Sequence, residues 1–361
     1  QETDQSVKDK TKTLTASSAL PDIYFTWTGN WAENFINGGL AADLTEVIGP
    51  DTEWGQTFGE SSLGAFMSDG KYYGIPLYNN GKFMGYNKAA FEKAGVAVPT
   101  TFEELIKTCA PLRAAGYEPI AFGNKDGWPA LHYLQQLFAY NVPADVLTAD
   151  FLPETAVLDD EGYISALEQF KTLVDECTDS GNGTNGVLYT AAQEALAGER
   201  AAMYYQEILE FDTVTAEGNA LTPENFGIFA LPVPKGAAGE PGVIQGAPEG
   251  YLINAKSPRA ALAVDFMKFA TTVENATTLS SPPFGQPSTV IGAVTPETSS
   301  VAVYEGITQV NDADGMIIWL DTVTVPEVAD AWLAGGEALI SGGSTPEQVL
   351  ESVRNASASA K

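Results

Sequence analysis

The chain has 361 residues, of which 44% are hydrophobic, so about two domains with ordinary apolar cores are expected. It carries 18 Lys and Arg against 47 Asp and Glu, which gives a formal net charge of -29. This field repels phosphate backbones and anionic lipid, so nucleic acid and anionic lipid surfaces are not expected as partners. We interpret most of the carboxylates as a solubilising surface. No apolar run approaches the roughly 20 residues that cross a bilayer.

Strand-like and helix-like patterns alternate along most of the chain. Short apolar segments predict strands within 21–27, 118–124, 200–206 and 250–256. Capped amphipathic patterns predict helices over 87–94, 100–115, 161–177, 190–197, 258–271, 325–340 and 345–356. Asp69 and Gly70 predict a tight hairpin turn. This order is typical of the α/β class and predicts substantially parallel sheets.

The two cysteines lie on the apolar stripes of two predicted helices. Cys109 continues the stripe of the helix over 100–115, which Thr100 and Glu103 are expected to open with a capping box. Cys177 closes the stripe of the helix over 161–177. Both sulfurs should therefore face a core. We favour two buried free thiols, with a disulfide as the alternative that gains weight if the protein is exported.

Aromatic side chains accompany amides or carboxylates where predicted strands end. These residues are Trp27 and Trp31, Tyr78 and Asn79, Asn124 and Trp128, and Gln206 and Glu207. In an open parallel sheet, ligands bind at the carboxyl ends of the strands. A ring can stack on the C–H face of a sugar while amides and carboxylates bond its hydroxyls. No basic cluster stands near these motifs, and the pattern predicts a sugar site.

Five segments, in their shared order and spacing, resemble a known family. They are LTASSALPDIYFTW, SDGKYYGIPLY, MGYNKAAFEKAGVAVPTTFEEL, ALAGERAAMYYQ and EGYLINAKSPRAALAVDFMKF. The chain resembles the extracellular solute-binding proteins of bacterial carbohydrate ABC importers, the group that includes the maltose-binding protein. Two departures stand out. Phe102 replaces the usual Trp, and Ile208 and Leu209 follow Glu207 where relatives often place a Trp.

The resemblance implies a periplasmic-binding-protein-like fold, with two α/β lobes joined by a three-crossing hinge and a ligand cleft between the lobes. Lobe one is expected to comprise residues 1–86 and 251–315, and lobe two residues 87–250 and 316–361. The crossings are expected near 86–87, 246–250 and 310–325. Because the family opens with a strand, a helix and a second strand, about 35 to 45 further residues are expected before this chain.

The resemblance implies four more contacts with ligand. Glu249 lies at the second expected crossing, where a solvated hinge carboxylate is the alternative interpretation. Trp319 and Asp321 precede the terminal helices, in a segment that often presents polar and aromatic groups to sugar. Phe284 is a candidate rim contact, although a structural proline-rich loop is the favoured interpretation of its surroundings.

The function that the resemblance implies is capture of a neutral carbohydrate, an oligosaccharide, and its delivery to the membrane permease of an ABC transporter. Such a protein is a monomer without catalytic residues, cofactor or metal. It is expected at the cell surface on a lipid anchor, or in the periplasm.

Two alternatives stay open. The acidity permits a binding protein for a cationic or zwitterionic solute, and the 47 acidic residues permit a glycoside hydrolase with a carboxylate pair. His132 is the single histidine, and its amphipathic surroundings favour a packing or surface role over catalysis.

Overall fold

The computed structural model describes residues 4–179 and 181–361 and has a mixed α/β fold. The strands are β1 (Ile23–Trp27), β2 (Met67–Ser68), β3 (Lys71–Tyr72), β4 (Gly74–Asn87), β5 (Glu118–Ala121), β6 (Ala201–Glu207), β7 (Phe226–Phe229), β8 (Val243–Ile253) and β9 (Gly315–Ile317). The α-helices are α1 (Asp4–Ala16), α2 (Asn30–Asn37), α3 (Thr45–Ile48), α4 (Glu60–Gly64), α5 (Lys88–Ala94), α6 (Phe102–Ala114), α7 (Trp128–Asn141), α8 (Ala144–Asp150), α9 (Glu161–Cys177), α10 (Tyr189–Ala197), α11 (Phe211–Val214), α12 (Ala260–Ala270), α13 (Val273–Ser280), α14 (Val301–Asp312), α15 (Leu320–Val323), α16 (Pro326–Ser341) and α17 (Pro346–Ser359).

The chain divides into two compact units. Unit 1 comprises the residues up to Asn80 together with 247–281 and 286–299, and unit 2 comprises 81–246, 282–285 and 300–361. Both units are discontinuous in sequence. Their boundaries differ from the expected lobes, because 81–86, 282–285 and 300–315 belong to unit 2 and 247–250 belongs to unit 1. The three-crossing hinge itself stays a prediction.

Unit 1 places β1 against the second half of β8. The two strands are antiparallel, with Ile23 opposite Ile253 and Trp27 opposite Glu249. Behind them lies an apolar core that includes Trp54, whose Nε1 donates to Thr271 Oγ1 at 2.9 Å. The predicted hairpin turn is confirmed, since β2 and β3 pair on either side of the Asp69-Gly70 turn, where both residues have positive φ.

Strand directions in unit 2 correct the expectation of substantially parallel sheets. The part of β4 in unit 2 pairs antiparallel with both β6 and β7, while β5 with β6 and β8 with β9 are parallel pairs. Hydrophobic patterning locates a strand but does not fix the direction of its neighbour, because inward and outward faces alternate in the same way in both kinds of pair.

The core of unit 2 is built around α7, all of whose residues are buried. This helix packs with α9 and α16. Cys109 and Cys177 form a disulfide with a Cα–Cα distance of 5.1 Å, so the favoured interpretation as two free thiols is wrong. Both side chains do face the core, as the stripes predicted, but stripe positions on separate helices do not reveal that two sulfurs meet.

The cap of α6 lies one residue later than predicted. Thr101 is the N-cap and accepts from the Glu104 backbone N–H, while the Glu104 carboxylate accepts from the backbone and hydroxyl of Thr100. In the described part of the chain, no helix combines the length and the apolar character that crossing a membrane requires.

Candidate functional site

In unit 1, an aromatic cluster forms where β1 ends and α2 begins. Gly29 adopts φ 79°, a left-handed conformation that glycine tolerates, and this turn sets the Trp27 and Trp31 rings 5.5 Å apart at an interplanar angle of 88°. Phe25 meets the Trp27 ring edge-on at 4.7 Å and stacks with Tyr78 at 6.3 Å. Three predicted contact residues, Trp27, Trp31 and Tyr78, therefore belong to one cluster.

Two lysines of α1 cover these indoles. Lys8 Nζ lies 5.0 Å from the centre of the Trp27 ring, and Lys12 Nζ lies 5.9 Å from that of Trp31. Both distances lie within cation–π range. The sequence indicated no basic cluster near the aromatic motifs, but the fold brings these two lysines of α1 onto the end of β1. Trp27 is 6% exposed and is buried, whereas Trp31 is half-buried.

The polar residues predicted in unit 1 flank this cluster. Glu249 is 2% exposed and stands opposite Trp27 in the β1–β8 ladder, so the solvated-carboxylate alternative is wrong for this residue. The Asn79 backbone N–H donates to the Pro287 carbonyl at 2.7 Å. Tyr78 forms a bridge with Ser288 in the same segment. Strand pairing thus fixes the backbone at all of these positions.

In unit 2, the centre of the candidate site is a buried lysine. Lys82 is 2% exposed, and its ammonium lies 5.3 Å from the Trp128 ring centre and 5.9 Å from those of Tyr205 and Trp319. Burial raises the pKa of the Tyr205 phenol well above its ordinary value. This phenol therefore stays neutral and keeps its proton for donation.

Strand register explains the partners of Lys82. The β4–β6 ladder sets Lys82 opposite Glu207, and Lys82 Nζ lies 3.5 Å from Glu207 Oε1. Lys82 also donates to Gln206 Oε1, and Gln206 Nε2 donates to the Tyr204 hydroxyl at 2.8 Å. A buried ammonium needs such compensation, because transfer of an unpaired charge from water is very costly. Gln206 and Glu207, both predicted contacts, therefore come together around this ammonium.

A row of rings continues from Lys82 along one end of α7. The His132 ring lies 4.8 Å from that of Trp128 and 4.9 Å from that of Trp319. Tyr189 meets the other side of Trp128 at 5.0 Å. The two predicted tryptophans thus share one cluster, and His132 packs between them, in agreement with its predicted packing role.

Asn124 lies beside this row and serves the protein framework. Its Oδ1 accepts from the Ala130 backbone N–H at 2.8 Å, near the start of α7, and its Nδ2 donates to Asn185 Oδ1 at 2.8 Å. Both polar ends of the amide are therefore engaged within unit 2. A ligand contact by Asn124 stays a prediction.

The last two predicted residues of unit 2 are more exposed than the ring row. Phe284 is 55% exposed and stands in the short segment 282–285. Asp321 is half-buried in the first turn of α15, two residues after the buried Trp319. The role of each residue in ligand binding stays a prediction.

Sequence reasoning missed Lys82, together with Gln135 and Gln245. The available signal was a lysine in the middle of the apolar strand segment GKFMGY, where an unpaired charge would be costly. The two glutamines gave no comparable signal, because glutamine is common on helix and strand surfaces.

Several buried polar atoms of the two units have no hydrogen-bond partner within the part of the chain that the structure describes. They are Trp31 Nε1 and Asn79 Oδ1 in unit 1, and Trp128 Nε1, the Tyr205 hydroxyl, Gln135 Oε1 and both side-chain polar atoms of Gln245 in unit 2. Each such atom costs about 1–3 kcal/mol, so native proteins retain few of them. Aromatic faces beside unsatisfied donors and acceptors suit a ligand that is apolar on one face and hydroxylated at its edge.

Among the residues that the structure describes, no group of three or more His, Cys, Asp or Glu side chains could hold a metal ion.

Two curated proteins are similar in sequence to part of this chain. A putative binding protein of Brucella abortus (strain 2308) is 30% identical over 149 residues, which cover 40% of this chain and 34% of that protein. The Streptococcus mutans multiple sugar-binding protein is 27% identical over 208 residues, or 56% of this chain and 48% of that protein. The matches thus span about a third to a half of the length of these relatives.

Two solved structures share the fold over nearly all of the chain. A protein from work on xylan utilization by Caldanaerobius polysaccharolyticus superposes with a TM-score of 0.89 at 22% identity, covering 98% of this chain and 90% of that one. A chitin oligosaccharide binding protein superposes with a TM-score of 0.84 at 24% identity, covering 98% and 86%. The periplasmic-binding-protein-like fold class is therefore confirmed.

The family model for bacterial extracellular solute-binding proteins matches residues 1–277, which is more than half of the chain. The predicted resemblance is thereby confirmed, and the chain belongs to the bacterial extracellular solute-binding protein family.

Proposed function

We propose that this protein binds a neutral oligosaccharide outside the cell and delivers it to the permease of an ABC transporter. The observation that carries the proposal is the ring row of unit 2, formed by Trp128, His132 and Trp319, with the Lys82 ammonium and the Glu207 carboxylate beside it. Flat aromatic faces bind the C–H faces of a pyranose, and an ammonium next to a carboxylate offers a donor and an acceptor to its hydroxyls.

The charge distribution favours a neutral ligand. Lys82 and Glu207 together carry no net charge, so a free carboxylate or ammonium on the ligand would meet one like charge in the same buried place. A hydroxyl can accept from one group and donate to the other at once. The names of related proteins, which refer to multiple sugars and to chitin oligosaccharides, support the same class of ligand.

The protein is proposed to act by binding alone. The family to which the chain belongs consists of solute-binding proteins, and Glu207, the acidic residue beside the rings, is paired with Lys82. Attachment to the cell surface through a lipid anchor, the monomeric state and contact of one ligand with both aromatic clusters stay predictions.

The test is calorimetric titration of the full chain with xylotriose, chitotriose and maltotriose, followed by the variant Trp128→Ala. We expect saturable heat with at least one trisaccharide and at least a tenfold loss of affinity in the variant, because stacked rings dominate such contacts. Trp54→Phe is the matched control, since Trp54 lies in the core of unit 1, and its affinity should stay within about twofold of wild type. Saturable heat that Trp128→Ala leaves unchanged would contradict the role of the ring row.

A further inference from the structure

Gln245 is a fully buried glutamine that no motif of the sequence singles out. It lies in β8, is 0% exposed, and neither its Oε1 nor its Nε2 has a hydrogen-bond partner in the described ranges. Its backbone is well held, because Gln245 N–H donates to Gln136 Oε1 at 2.7 Å. An amide with three or more unused bonding positions is costly to bury. The fold therefore orders the strand and leaves the side chain unsatisfied.

The strand pattern places Gln245 on the same sheet face as Lys82. A Cβ at Gly81 would lie 3.5 Å from Ile244 Cγ2, so Gly81 and Ile244 share one face of the neighbouring strands β4 and β8. Because side chains alternate along a strand, the residues that follow them, Lys82 and Gln245, both lie on the other face.

A second partly unsatisfied amide belongs to α7. Gln135 Nε2 donates to the Ile318 carbonyl at 3.0 Å, while its Oε1 has no partner among the described residues. Ile318 directly precedes Trp319, whose ring lies 5.9 Å from the Lys82 ammonium. Gln245 is paired with Ile317 in the β8–β9 ladder. Both glutamines are thus tied to the short segment that carries Trp319.

We propose that Gln245, assisted by Gln135, binds two adjacent hydroxyls of the sugar that stacks on the ring row and so determines specificity. The inference rests on the proposed function and deepens it. The carbonyl of an amide accepts from one hydroxyl and its NH₂ donates to the next, which matches a vicinal diol and does not match an ammonium or a carboxylate. A site built to bond a hydroxyl discriminates against analogues that lack it, because its own polar groups are then left unpaired.

The test is Gln245→Met, which keeps the side-chain length and removes the amide. The thermal stability and the sugar affinity of this variant are expected to change in different directions. The midpoint of thermal unfolding without ligand should stay equal or rise, because an unsatisfied amide is removed. The affinity for whichever of xylotriose, chitotriose and maltotriose the wild type binds should fall at least tenfold. A dideoxy analogue that lacks both hydroxyls should bind the variant and the wild type within about twofold of each other.

Gln193→Met is the matched control, because Gln193 is also buried in unit 2 but its amide donates to the backbone and carboxylate of Glu210. It should unfold at a lower temperature and keep its sugar affinity. If Gln245→Met folds poorly, Gln245→Asn, which withdraws the amide by one methylene, should show the same loss of affinity.

Unchanged sugar affinity in Gln245→Met would overturn the inference. Gln245 would then have a structural role, for example a hydrogen bond to a buried water. A wild type that gives no heat with any trisaccharide would instead count against the proposed function. The unfolding readout without ligand would still report whether the amide is unsatisfied, so the two failures are distinguishable.

Discussion

At the scale of single residues, Lys82 is the group on which the arrangement of unit 2 depends. Its ammonium faces three rings and is paired with Glu207, and its side chain is 1% exposed. Such a residue is costly to bury and is retained only where partners compensate its charge. Lys82 therefore links the stability of the unit to the composition of the candidate site.

Lys82→Met tests this link. The variant leaves the Glu207 carboxylate buried without its ammonium, and we expect the free energy of unfolding to fall by about 3 kcal/mol. Replacing both charges in Lys82→Met with Glu207→Gln should restore much of this stability but not the affinity for sugar. Urea denaturation measures the first effect and calorimetric titration the second. Full stability in the single variant would show that the pair is not essential to the fold.

Asp212 gives a prediction about pH. Burial raises the pKa of its carboxyl above the ordinary 3.8, and the Ser300 hydroxyl lowers it in part. Because the folded pKa lies above the unfolded one, the stabilising contribution of this group is full below pH 3.8 and is lost as pH rises through the folded pKa.

Asp212→Asn should therefore raise the unfolding midpoint by a few degrees at pH 7 and change it little below pH 3.8, where the carboxyl is protonated in both states. Scanning calorimetry of wild type and variant across this range is the measurement. Equal midpoints at pH 7 would contradict the expected destabilisation by the ionised carboxylate. Asp43→Asn is a control of opposite sign, since Lys71 and Thr45 lower the pKa of Asp43 to about 2 and its contribution is present at neutral pH.

At the scale of elements, the disulfide ties α6 to the end of α9. It closes a loop between positions 68 residues apart, and in the chain-entropy model a loop of this length contributes about 4 kcal/mol. Cys109→Ala with Cys177→Ala should therefore lower the free energy of unfolding by about that amount in urea.

A thiol titration of the denatured, unreduced wild type controls for the bond itself and should detect no free thiol. One or two reactive thiols in that titration would contradict the disulfide.

Helix bounds were the most predictable feature of the fold. The helix predicted over 161–177 is α9 with the same ends, because Asp160 caps it through the Gly162 N–H and its apolar stripe runs without interruption to Cys177. Local signals of this kind lie within a few residues of one another. Pairings across the sheet do not, and the antiparallel partners of β4 were therefore not predicted.

The candidate site was predictable only in part for the same reason. Trp27, the last residue of β1, and Trp128, the first residue of α7, stand out in sequence because each is a large ring close to a glycine turn. The role of Lys82 depends on its contacts with Gln206, which is 124 residues away, and with three rings on other elements. These contacts are not visible in the sequence. The unsatisfied amide of Gln245 is a property of packing, and residue type alone does not reveal it.

At the scale of the whole molecule, the formal net charge of -29 contrasts with a candidate site whose two central charges cancel. A neutral sugar is therefore expected to bind with little dependence on salt, whereas a cationic solute would be attracted by the overall field and released as salt screens it. Salt dependence thus separates the proposed function from the alternative of a cationic ligand.

Binding of a neutral oligosaccharide is tested most directly by calorimetric titration of the full chain with the three neutral trisaccharides and with spermidine, at about 0.05 M and about 0.5 M NaCl. We expect saturable heat with at least one trisaccharide, and a Kd that changes less than about twofold between the two salt concentrations. No heat with any trisaccharide, together with binding of spermidine that weakens in high salt, would contradict it.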